Sequence, residues 1–404
     1  MQCQLAVWLW ASGGTWTLCN KRRPVLDLHR IGVFIKIVRS FDGQCVPGCR
    51  ECRRDAGSLT WQCGYIEEGQ VIGQMMVVTL KDVAERAGVS RSAVSRTFTE
   101  GASVSPKTRA KVEKAASELR YAPNALASSL TTGRTKLIGL IVNNFHNPLI
   151  LEVFDLFTRG LQDRGLRPLL VNLSDATDPA ESVRMLRQYS VDGVIVASST
   201  LPSSFAEAFK DAGLPVVHAF GRYSISPGVH VAGIDNVACG RMAAEALIER
   251  GYARVAFLGG PRSATSSQDR AAGFLAALAE QPQISVSESY ASDYTFDAGR
   301  AEMQRLLQGV PAEAYFCGDD LLAVGALSAI QDAGLSVPGD IGLIGLNDME
   351  MSRWQVIGLT TIHQPVAQII EAAIELVVST IEKPDRLAEI RLFPCRVVER
   401  RTLR

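Results

Sequence analysis

The spacing of apolar residues predicts a short helix that begins near residue 80. Four apolar side chains recur at helical spacing and share one face: Leu80, Val83, Ala84 and Ala87. Thr79, followed three residues later by Asp82, is a typical arrangement for satisfying the free backbone amides at a helix N-terminus. Gly88 is the residue type that best tolerates the left-handed conformation at a helix end. The helix is therefore expected to end at Gly88.

A second and a third helix follow, with no room for a strand between the first two. Ser90 can cap the second helix. Its inward-facing residues are Ala93, Val94 and Thr97, and its opposite face carries Arg91, Ser92, Ser95 and Arg96. Ser105 and Pro106 can open the third helix, because serine is a good cap and proline suits the first helical position. The apolar stripe of the third helix consists of Val112, Ala115, Ala116 and Leu119. Three short helices with a tight corner predict a helix-turn-helix domain over residues 77–122.

From residue 137 onward, short apolar runs alternate with amphipathic helical stretches. The runs cover residues 137–142, 168–173, 193–198, 215–220, 231–234, 254–259, 314–318 and 341–346. Near-continuous apolar runs separated by helices are typical of parallel strands that are buried on both faces. Because a single core stops growing at roughly 250–300 residues, residues 137–404 are expected to form two doubly wound α/β lobes. Ligands of such sheets bind beyond the carboxyl ends of the strands, which predicts a binding cleft between the lobes.

Charge distinguishes these regions, although the whole chain is balanced with 42 basic and 42 acidic residues. Residues 75–133 carry nine Lys or Arg and five Asp or Glu, whereas the 271 residues from 134 onward carry a net charge of −7. A small basic module joined to a large acidic body is typical of a polyanion-binding domain attached to a second functional unit. Arginine can bond bidentately to guanine in the major groove, so Arg91 and Arg96 are candidates for reading DNA sequence. Lys107 and Arg109 are candidates for phosphate contacts.

Other classes of protein find little support in the sequence. No run of 18 apolar residues predicts a membrane span, and the segment LAVWLWA lacks the preceding basic residue of a secretory signal. We therefore expect a cytoplasmic, nucleoid-associated protein with reduced cysteines. The chain lacks a nucleotide-binding phosphate loop, a dinucleotide-binding GxGxxG after the first strand and a nucleophile elbow. No catalytic residue or cofactor is predicted. A solute receptor or an α/β enzyme on the same body fold is the alternative interpretation.

The first 76 residues differ from the rest in containing six of the nine cysteines. Four of these could close a tetrahedral zinc site: Cys45, Cys49, Cys52 and Cys63. Their spacing lacks the paired CxxC form that indicates zinc strongly. The alternative is that this segment is not a domain, since its patterned patches are brief and Met75 and Met76 directly precede the first well-patterned helix. We expect residues 1–76 to be a disordered extension or the product of a mis-assigned translation start, and no metal site.

The sequence VTLKDVAERAGVSRSAVSR, with YAPNALASSL further on, resembles the DNA-binding headpiece and hinge of the LacI/GalR family of bacterial transcription regulators. The match runs nearly without gaps from Val78 to Leu130, with Thr99 standing where the family usually has Asn. The resemblance implies that residues 123–136 form a hinge that folds only on DNA and pairs with its dimer mate in the minor groove. It also implies that Leu130 inserts between base steps, as apolar wedges do when they kink a duplex. The predicted DNA contacts are Thr79, Ser90, Arg91, Ser92, Ser95, Arg96, Lys107, Arg109, Asn124, Ala127 and Leu130.

The body resembles, more loosely, the type-I periplasmic-binding-protein fold that serves this family as an effector sensor. The motifs that carry the resemblance are NPL at 147–149, VDG at 191–193, GIDN at 233–236, QDRAAGF at 268–274, GDDLLAVGAL at 318–327 and LTTIHQP at 359–365. The resemblance implies that Arg270 grips the hydroxyls of the effector, that Asp320 is the opposing carboxylate, and that a sugar or base stacks on Tyr294. The full predicted effector site is Asn147, Leu149, Phe220, Arg270, Tyr294 and Asp320.

Several of these assignments have structural alternatives. Arg270 could be a surface arginine, and Tyr294 could belong to the core. Asp320 could merely cap a helix, a role for which Asp319 is a rival. Around Phe220 the sequence HAFGRY departs from the family pattern by a one-residue shift, which leaves the identity of the effector open.

Taken together, the residues and the resemblance predict an all-α DNA-binding domain followed by an α/β two-lobed sensor. The expected function is a repressor of carbohydrate-related genes that binds a palindromic operator as a homodimer. A small molecule, a sugar or a sugar derivative, is expected to switch it without any further cofactor. The sequence leaves open whether dimers pair into tetramers, whether ligand releases or recruits DNA, and which operator is bound.

Overall fold

The computed structural model describes residues 78–99, 101–124, 129, 132–173 and 178–404, together with five short strands in the first 76 residues. Those strands are β1 (Val7–Trp10), β2 (Trp16–Cys19), β3 (Ile35–Lys36), β4 (Cys52–Arg54) and β5 (Trp61–Cys63). β1 pairs with both β2 and β3, and β4 pairs with β5 in a register that sets Cys52 opposite Cys63. Cys45 and Cys49 lie outside the described residues, so the expectation of no metal site stays a prediction.

The headpiece consists of α1 (Leu80–Ala87), α2 (Arg91–Thr97) and α3 (Pro106–Leu119). Gly88 ends α1 in the left-handed conformation, with φ 63° and ψ 41°. The hydroxyls of Ser90 and Ser105 accept the backbone N–H of Ala93 and Thr108, each at 3.2 Å. The buried core of the headpiece is Val83, Ala84, Val94, Val112, Ala115 and Ala116. The predicted helix boundaries, caps and inward faces are therefore confirmed.

The body alternates strands and helices in the predicted rhythm. Its helices are α4 (Leu149–Asp163), α5 (Pro179–Gln188), α6 (Ser203–Asp211), α7 (Asn236–Glu249), α8 (Thr265–Ala279), α9 (Phe296–Leu306), α10 (Asp320–Asp332) and α11 (Val366–Glu382). A 3₁₀ turn covers Glu350–Arg353. The strands fall into two six-stranded sheets, each the centre of one lobe.

The sheet of the first lobe is parallel throughout. Its strands are β6 (Leu137–Val142), β7 (Arg167–Asn172), β8 (Gly193–Ala197), β9 (Val216–Ala219), β10 (His230–Gly233) and β16 (Ile390–Leu392). They lie in the order β16-β10-β9-β8-β6-β7. β8 and β9 are buried along their whole length, as expected for strands covered on both faces.

The sheet of the second lobe lies in the order β12-β11-β13-β14-β15-β17. Its strands are β11 (Arg254–Gly259), β12 (Ser285–Tyr290), β13 (Ala314–Cys317), β14 (Gly342–Asn347), β15 (Thr360–His363) and β17 (Arg396–Val398). Only β17 pairs antiparallel, against β15. Each of the eight predicted apolar runs forms a strand, whereas β12, β15, β16 and β17 were not predicted.

Across residues 178–404, the chain passes three times between the lobes. β10 of the first lobe leads through α7 to β11 of the second, β15 of the second leads to α11 packed on the first, and β16 leads directly to β17. Residues that follow the carboxyl ends of β6, β8, β9, β10, β12, β13 and β15 line a cavity between the lobes. The confirmed fold class therefore places a binding cleft where the sequence predicted one.

Helices α7 and α8 approach each other unusually closely. A Cβ atom added at Gly240 would lie 2.1 Å from the carbonyl oxygen of Arg270, and one added at Gly273 would lie 1.9 Å from that of Val237. Both positions therefore require glycine. This contact matters for the site because it fixes the backbone from which Arg270 projects into the cleft. Among the described residues, no helix is long and apolar enough to cross a membrane.

Candidate functional site

The headpiece presents two kinds of basic side chain. Arg91, Arg96 and Lys107 are exposed, and within the described part of the chain they form neither a hydrogen bond nor an ion pair. Lys81 and Arg86 are instead paired with Glu85 at 3.6 Å and Glu118 at 2.7 Å. These three cations lie on α2 and at the start of α3, where their N–H groups are available to an external anion.

Two predicted DNA-contacting residues already have intramolecular roles. The guanidinium of Arg109 donates to the carbonyl oxygen of Thr97 at 2.9 Å, which ties α3 to the end of α2. The amide and hydroxyl of Thr79 both donate to the carboxylate of Asp82, at 2.7 and 2.8 Å. The hydrogen bond from the backbone amide of Thr79 is the main reason that the pKa of Asp82 lies below its usual value. Thr79 and Arg109 thus contribute to the geometry of the headpiece whether or not they also touch DNA.

The remaining DNA-contact predictions concern exposed serines and the predicted hinge, residues 123–136. Ser90, Ser92 and Ser95 are exposed on α2 and at its N-cap. Asn124 is exposed at the end of the described headpiece, while Ala127 and Leu130 lie outside the described residues. Ser129 is helical, and its carbonyl accepts the N–H of Gly133 at 2.8 Å. The predicted wedge role of Leu130 stays a prediction.

The cavity between the lobes has a volume of about 60 Å³. Five of the six predicted effector-binding residues line it: Asn147, Leu149, Phe220, Arg270 and Tyr294. The lining also includes polar residues that were not predicted: Asn143, Asn144, Ser198, Ser199, Thr200, Asn236, Asp319, Asn347 and Gln364. Side-chain amides dominate this set. Because an amide both donates and accepts hydrogen bonds, the lining suits a neutral ligand with groups of both kinds.

The sixth predicted residue, Asp320, does not line the cavity. Its carboxylate accepts the backbone N–H of Met349 and the hydroxyl of Ser352, both at 2.8 Å, and also the hydroxyl of Thr361. Burial raises the pKa of Asp320, and these three hydrogen bonds oppose that shift. Asp320 therefore ties the loops after β14 and the strand β15 together inside the second lobe. Asp319, its neighbour, is the one that lines the cavity, and the effector-binding role of Asp320 stays a prediction.

Asp319 is the centre of a hydrogen-bond network at the cleft. One carboxylate oxygen caps α10 by accepting the N–H of Leu321 at 2.7 Å. The other accepts amide N–H groups from Asn147 at 3.1 Å and Asn347 at 2.8 Å, and Asn347 is in turn held by Gln364. Burial, with the nearby charge of Asp320 as a second cause, raises the pKa of Asp319 to about 7. Its charge state can therefore change near neutral pH.

Arg270 projects from α8 into the same cavity and is only 4% exposed, so the surface alternative is wrong. Its Nε donates to the amide oxygen of Asn236 at 2.8 Å, and Nη1 donates to the carbonyl of Gly318. Nη2 has no hydrogen-bond partner among the described residues. Arg270 and Asp319 both belong to the second lobe, so they face the ligand space from the same side. The resemblance had implied a carboxylate, Asp320, opposite Arg270. Arginine held in place with a free N–H group is a ready donor to a ligand oxygen.

The aromatic residues close the cavity from two sides. Tyr294 is buried, and its hydroxyl bonds to those of Ser266 at 3.0 Å and Ser267 at 2.7 Å. Its ring lies against Gly260, where an added Cβ would come within 2.4 Å of Cζ. Tyr294 is thus both a core residue and a cavity wall. Phe220 adopts a left-handed backbone with φ 63° at the end of β9, which turns its side chain to the cavity.

The one-residue shift of the sequence HAFGRY from the family pattern is explained by packing. His218 is fully buried on β9, and its Nε2 lies 3.0 Å from the carbonyl oxygen of Ser198, a cavity residue. Burial lowers the pKa of His218 to about 4, so the ring is neutral at physiological pH. A Cβ at Gly221 would lie 2.4 Å from Cγ of this ring. The shifted pattern therefore accommodates an imidazole behind the cleft.

Direct contacts hold the two lobes together around the cavity. Asn147 of the first lobe donates to Asp319 of the second. At the start of α8, the hydroxyl of Thr265 donates to the carbonyl of Ser199 at 2.9 Å. Arg222, after β9, makes a bidentate ion pair with Asp269 of α8 at 2.8 and 2.7 Å. The cleft is therefore closed by polar contacts that opening would have to break.

These features define a class of protein: a helix-turn-helix DNA-binding module joined to a two-lobed receptor that closes over a small polar cavity. Comparison with known proteins gives the family. Residues 79–124 match the lacI family of bacterial regulatory proteins, and residues 244–403 match a periplasmic binding protein-like domain. The chain is 33% identical over 337 residues to the HTH-type transcriptional repressor PurR of Proteus mirabilis, covering 81% of this chain and 97% of that protein. PurR of Klebsiella pneumoniae (strain ATCC 700721 / MGH 78578) is 34% identical over 335 residues, with the same coverage.

Solved structures agree with this assignment. The lac repressor dimer bound to operator and the anti-inducer ONPF superposes with a TM-score of 0.73 at 27% identity, covering 80% of this chain and 98% of that one. A complex of the transcriptional regulator CelR with cellobiose gives a TM-score of 0.60 at 28% identity over 80% and 99% of the two chains. The chain belongs to the lacI family of bacterial transcription regulators. It is a DNA-binding transcriptional repressor and not an enzyme.

Proposed function

We propose that this repressor binds an approximately palindromic operator as a homodimer and is switched by a small, hydroxyl-rich molecule held between its lobes. The observation that carries the proposal is the cavity itself, in which Arg270 offers an unpaired N–H group beside the carboxylate of Asp319. An N–H donor and a carboxylate acceptor that face one space suit adjacent hydroxyls, as in a sugar or sugar derivative. The bound cellobiose of the similar regulator CelR supports this chemical class.

On the DNA side, we propose that α2 enters the major groove. Arg91 and Arg96 then reach base edges, while Lys107 contacts phosphate. These are basic side chains of the headpiece without an intramolecular partner in the part that the structure describes. A two-fold dimer presents two such helices, which requires matching half-sites. We propose that the protein acts on the nucleoid in the cytoplasm. We also propose that Leu130 of each protomer wedges the minor groove.

The cleft has to change shape to hold such a ligand. Its volume of about 60 Å³ is small beside the roughly 300–1,000 Å³ of ordinary ligand pockets. Admission of a sugar therefore requires the lobes to part, and with them the contacts of Asn147 with Asp319 and of Arg222 with Asp269. Parting of the lobes moves the first lobe, in which residues 134–136 lead directly into β6. The ligand can act on DNA binding because its affinity differs between the two lobe arrangements.

The ligand is found by thermal-shift screening of the full chain against sugars, sugar acids and nucleobases. Binding of a hit is then measured by calorimetry in wild type, in Arg270→Met and in the control Arg305→Met, an exposed arginine of α9 that pairs with Glu302. Loss of a charge-assisted hydrogen bond should weaken binding by about tenfold to a hundredfold in Arg270→Met and leave the control unchanged. Equal affinities in the three proteins would remove Arg270 from the ligand site. A hit confined to nucleobases would replace the sugar by a planar ligand.

A further inference from the structure

A second pocket lies in the first lobe, at the opposite end of its sheet from the cleft. It has a volume of about 210 Å³ and is bounded by Pro215 and Val216 where β9 begins, by His230 where β10 begins, and by Thr380 near the end of α11. These are the amino ends of the strands, whereas the effector cavity lies at their carboxyl ends. The two cavities are therefore separate.

The titratable residues that line this pocket are two cations and a histidine. Lys210, Arg386 and His230 contribute side chains to its wall, and no acidic residue does so. Lys210 donates one hydrogen bond to the carbonyl of Gly228 at 2.6 Å, which leaves two of its three N–H groups for other partners. Arg386 bonds to Ser379 at 3.0 Å and to Glu389, and so retains further N–H donors. Glu389 also pairs with Arg391, and Glu207 lies near Gly228, so nearby acids balance part of the charge.

His230 gives the pocket an inner donor. The side chain is only 4% exposed, and its Nδ1 accepts the backbone N–H of Glu389 at 3.0 Å. The neutral ring therefore carries its proton on Nε2. Nε2 has no hydrogen-bond partner among the described residues, and it is not one of the buried side-chain atoms left without a partner, so it is accessible from the pocket that His230 lines. A ligand oxygen in the pocket would satisfy it.

We propose that this pocket binds a phosphoryl group or a similar tetrahedral oxyanion, held between Lys210, Arg386 and His230. Two flexible cations at the rim and one fixed N–H group at the base match an anion that accepts hydrogen bonds in several directions. The ligand could be a free phosphate or phosphate ester, or a phosphate of the DNA backbone, since the chemistry of recognition is the same.

The position of the pocket gives such an anion a route to the DNA-binding headpiece. Arg134, in the segment that leads from the headpiece into β6, donates to the carbonyl of Ile381 at 3.1 Å. Thr380 and Pro384, on either side of Ile381, line the pocket. An oxyanion that orders the end of α11 therefore acts on Ile381, the residue to which Arg134 is hydrogen-bonded. The site would add a second input to a repressor whose first ligand binds in the cleft.

Inorganic phosphate is the probe for the first test, at constant ionic strength set with chloride. The full chain carries ¹⁵N-labelled histidine, and the ring signals of His230 are followed by NMR, assigned with His230→Gln. We expect saturable shifts of these signals. In the double variant Lys210→Met/Arg386→Met the phosphate affinity should fall at least tenfold, because both changed side chains are at the exposed rim. Lys383→Met, an exposed lysine of the same loop that does not line the pocket, is the matched control and should bind phosphate within twofold of wild type.

Operator binding by the same double variant distinguishes the two sources of the anion. An operator affinity within twofold of wild type, together with the loss of phosphate binding, assigns the pocket to a free phosphate or ester. A tenfold weaker operator complex, together with that loss, assigns it to the DNA backbone. The proposal is overturned if the signals of His230 respond to phosphate no more than to chloride, or respond equally in the double variant.

Discussion

The DNA-binding headpiece and the interlobe cleft treat their polar side chains in opposite ways. On α2, Arg91 and Arg96 stand exposed and have no partner within the described residues. In the cleft, Asp319, Asn147 and Asn347 are buried and bonded to one another. Exposed cations are held ready for a polyanion that brings its own counter-charge. Buried polar groups must be satisfied in the closed state, so a ligand has to replace their bonds. The difference shows why one region can be a reader of DNA and the other a switch.

Removal of Arg91 and Arg96, the exposed arginines of α2, should have the largest effect, a loss of operator affinity. Each base-reading arginine is worth about 1–3 kcal/mol of discrimination, so Arg91→Ala/Arg96→Ala should weaken operator binding by roughly 10³-fold. Fluorescence anisotropy at fixed salt measures this. The matched control is Lys81→Ala, because Lys81 is also exposed but pairs with Glu85. A comparable loss in the control would mean that general charge, and not the two arginines, carries recognition.

Widening the contact between α7 and α8 should have the second-largest effect, a loss of stability in the body that carries the cleft. A Cβ at Gly240 would lie 2.1 Å from the carbonyl of Arg270, so Gly240→Ala forces apart the helices that position this residue. Overpacking of this kind costs about 1–3 kcal/mol of unfolding free energy. Chemical denaturation of the body measures the loss. Gly309→Ala is the control, since its Cβ would meet its nearest neighbour at 3.8 Å. An unaltered midpoint in Gly240→Ala would contradict the close approach of the helices.

The buried carboxylate of Asp319 should make the stability of the body depend on pH. Its pKa is raised from 3.8 to about 7 in the folded chain, so between these values the folded state binds a proton that the unfolded state has released. The contribution is fully present below pH 4 and is lost as the pH rises through 7. The unfolding free energy of wild type should therefore fall relative to Asp319→Asn over this window, by at most about 1.4 kcal/mol per pH unit. Parallel pH profiles of the two proteins would show that Asp319 does not titrate there.

The ion pair between Arg222 and Asp269 should give the smallest effect. Because the arginine side chain is 36% exposed, water and salt screen the pair. Its loss in Arg222→Met should favour lobe opening by about 0.2–1 kcal/mol and tighten effector binding by a few-fold at most. The conservative variant Arg222→Lys should retain part of the contact. Calorimetric affinities that are identical for wild type and both variants would show that this contact does not restrain opening.

The sequence predicted the headpiece more completely than the body. Gly88, Ser90 and Ser105 act locally on the nearest turn of helix, so their effect can be derived from neighbouring residues alone. The strands β12 and β15 were missed because their sequences, SVSESY and TTIH, lack a continuous apolar run. Their place in the sheet depends on partners far away in the chain.

The same contrast explains why the sequence named Asp320 while the structure places Asp319 at the cavity. In the sequence, Asp319 and Asp320 are equivalent neighbours at the start of a helix. Which carboxylate faces the cleft depends on Ser352 and Thr361, which approach Asp320 from distant loops and hold it in the interior. Asn347 and Gln364 were missed for a related reason, since only the folded sheet brings them to Asp319. A pair of adjacent acids after a buried strand is the signal that could have flagged both candidates.

The central claim is that the state of the interlobe cavity controls the affinity for DNA. Its most direct test is the equilibrium affinity of the full chain for its operator, measured by fluorescence anisotropy at fixed salt with and without saturating effector. The account predicts a change of at least tenfold in wild type, whereas Arg270→Met should need an effector concentration about tenfold to a hundredfold higher for the same change. An operator affinity that is the same with the cleft empty and saturated would contradict it.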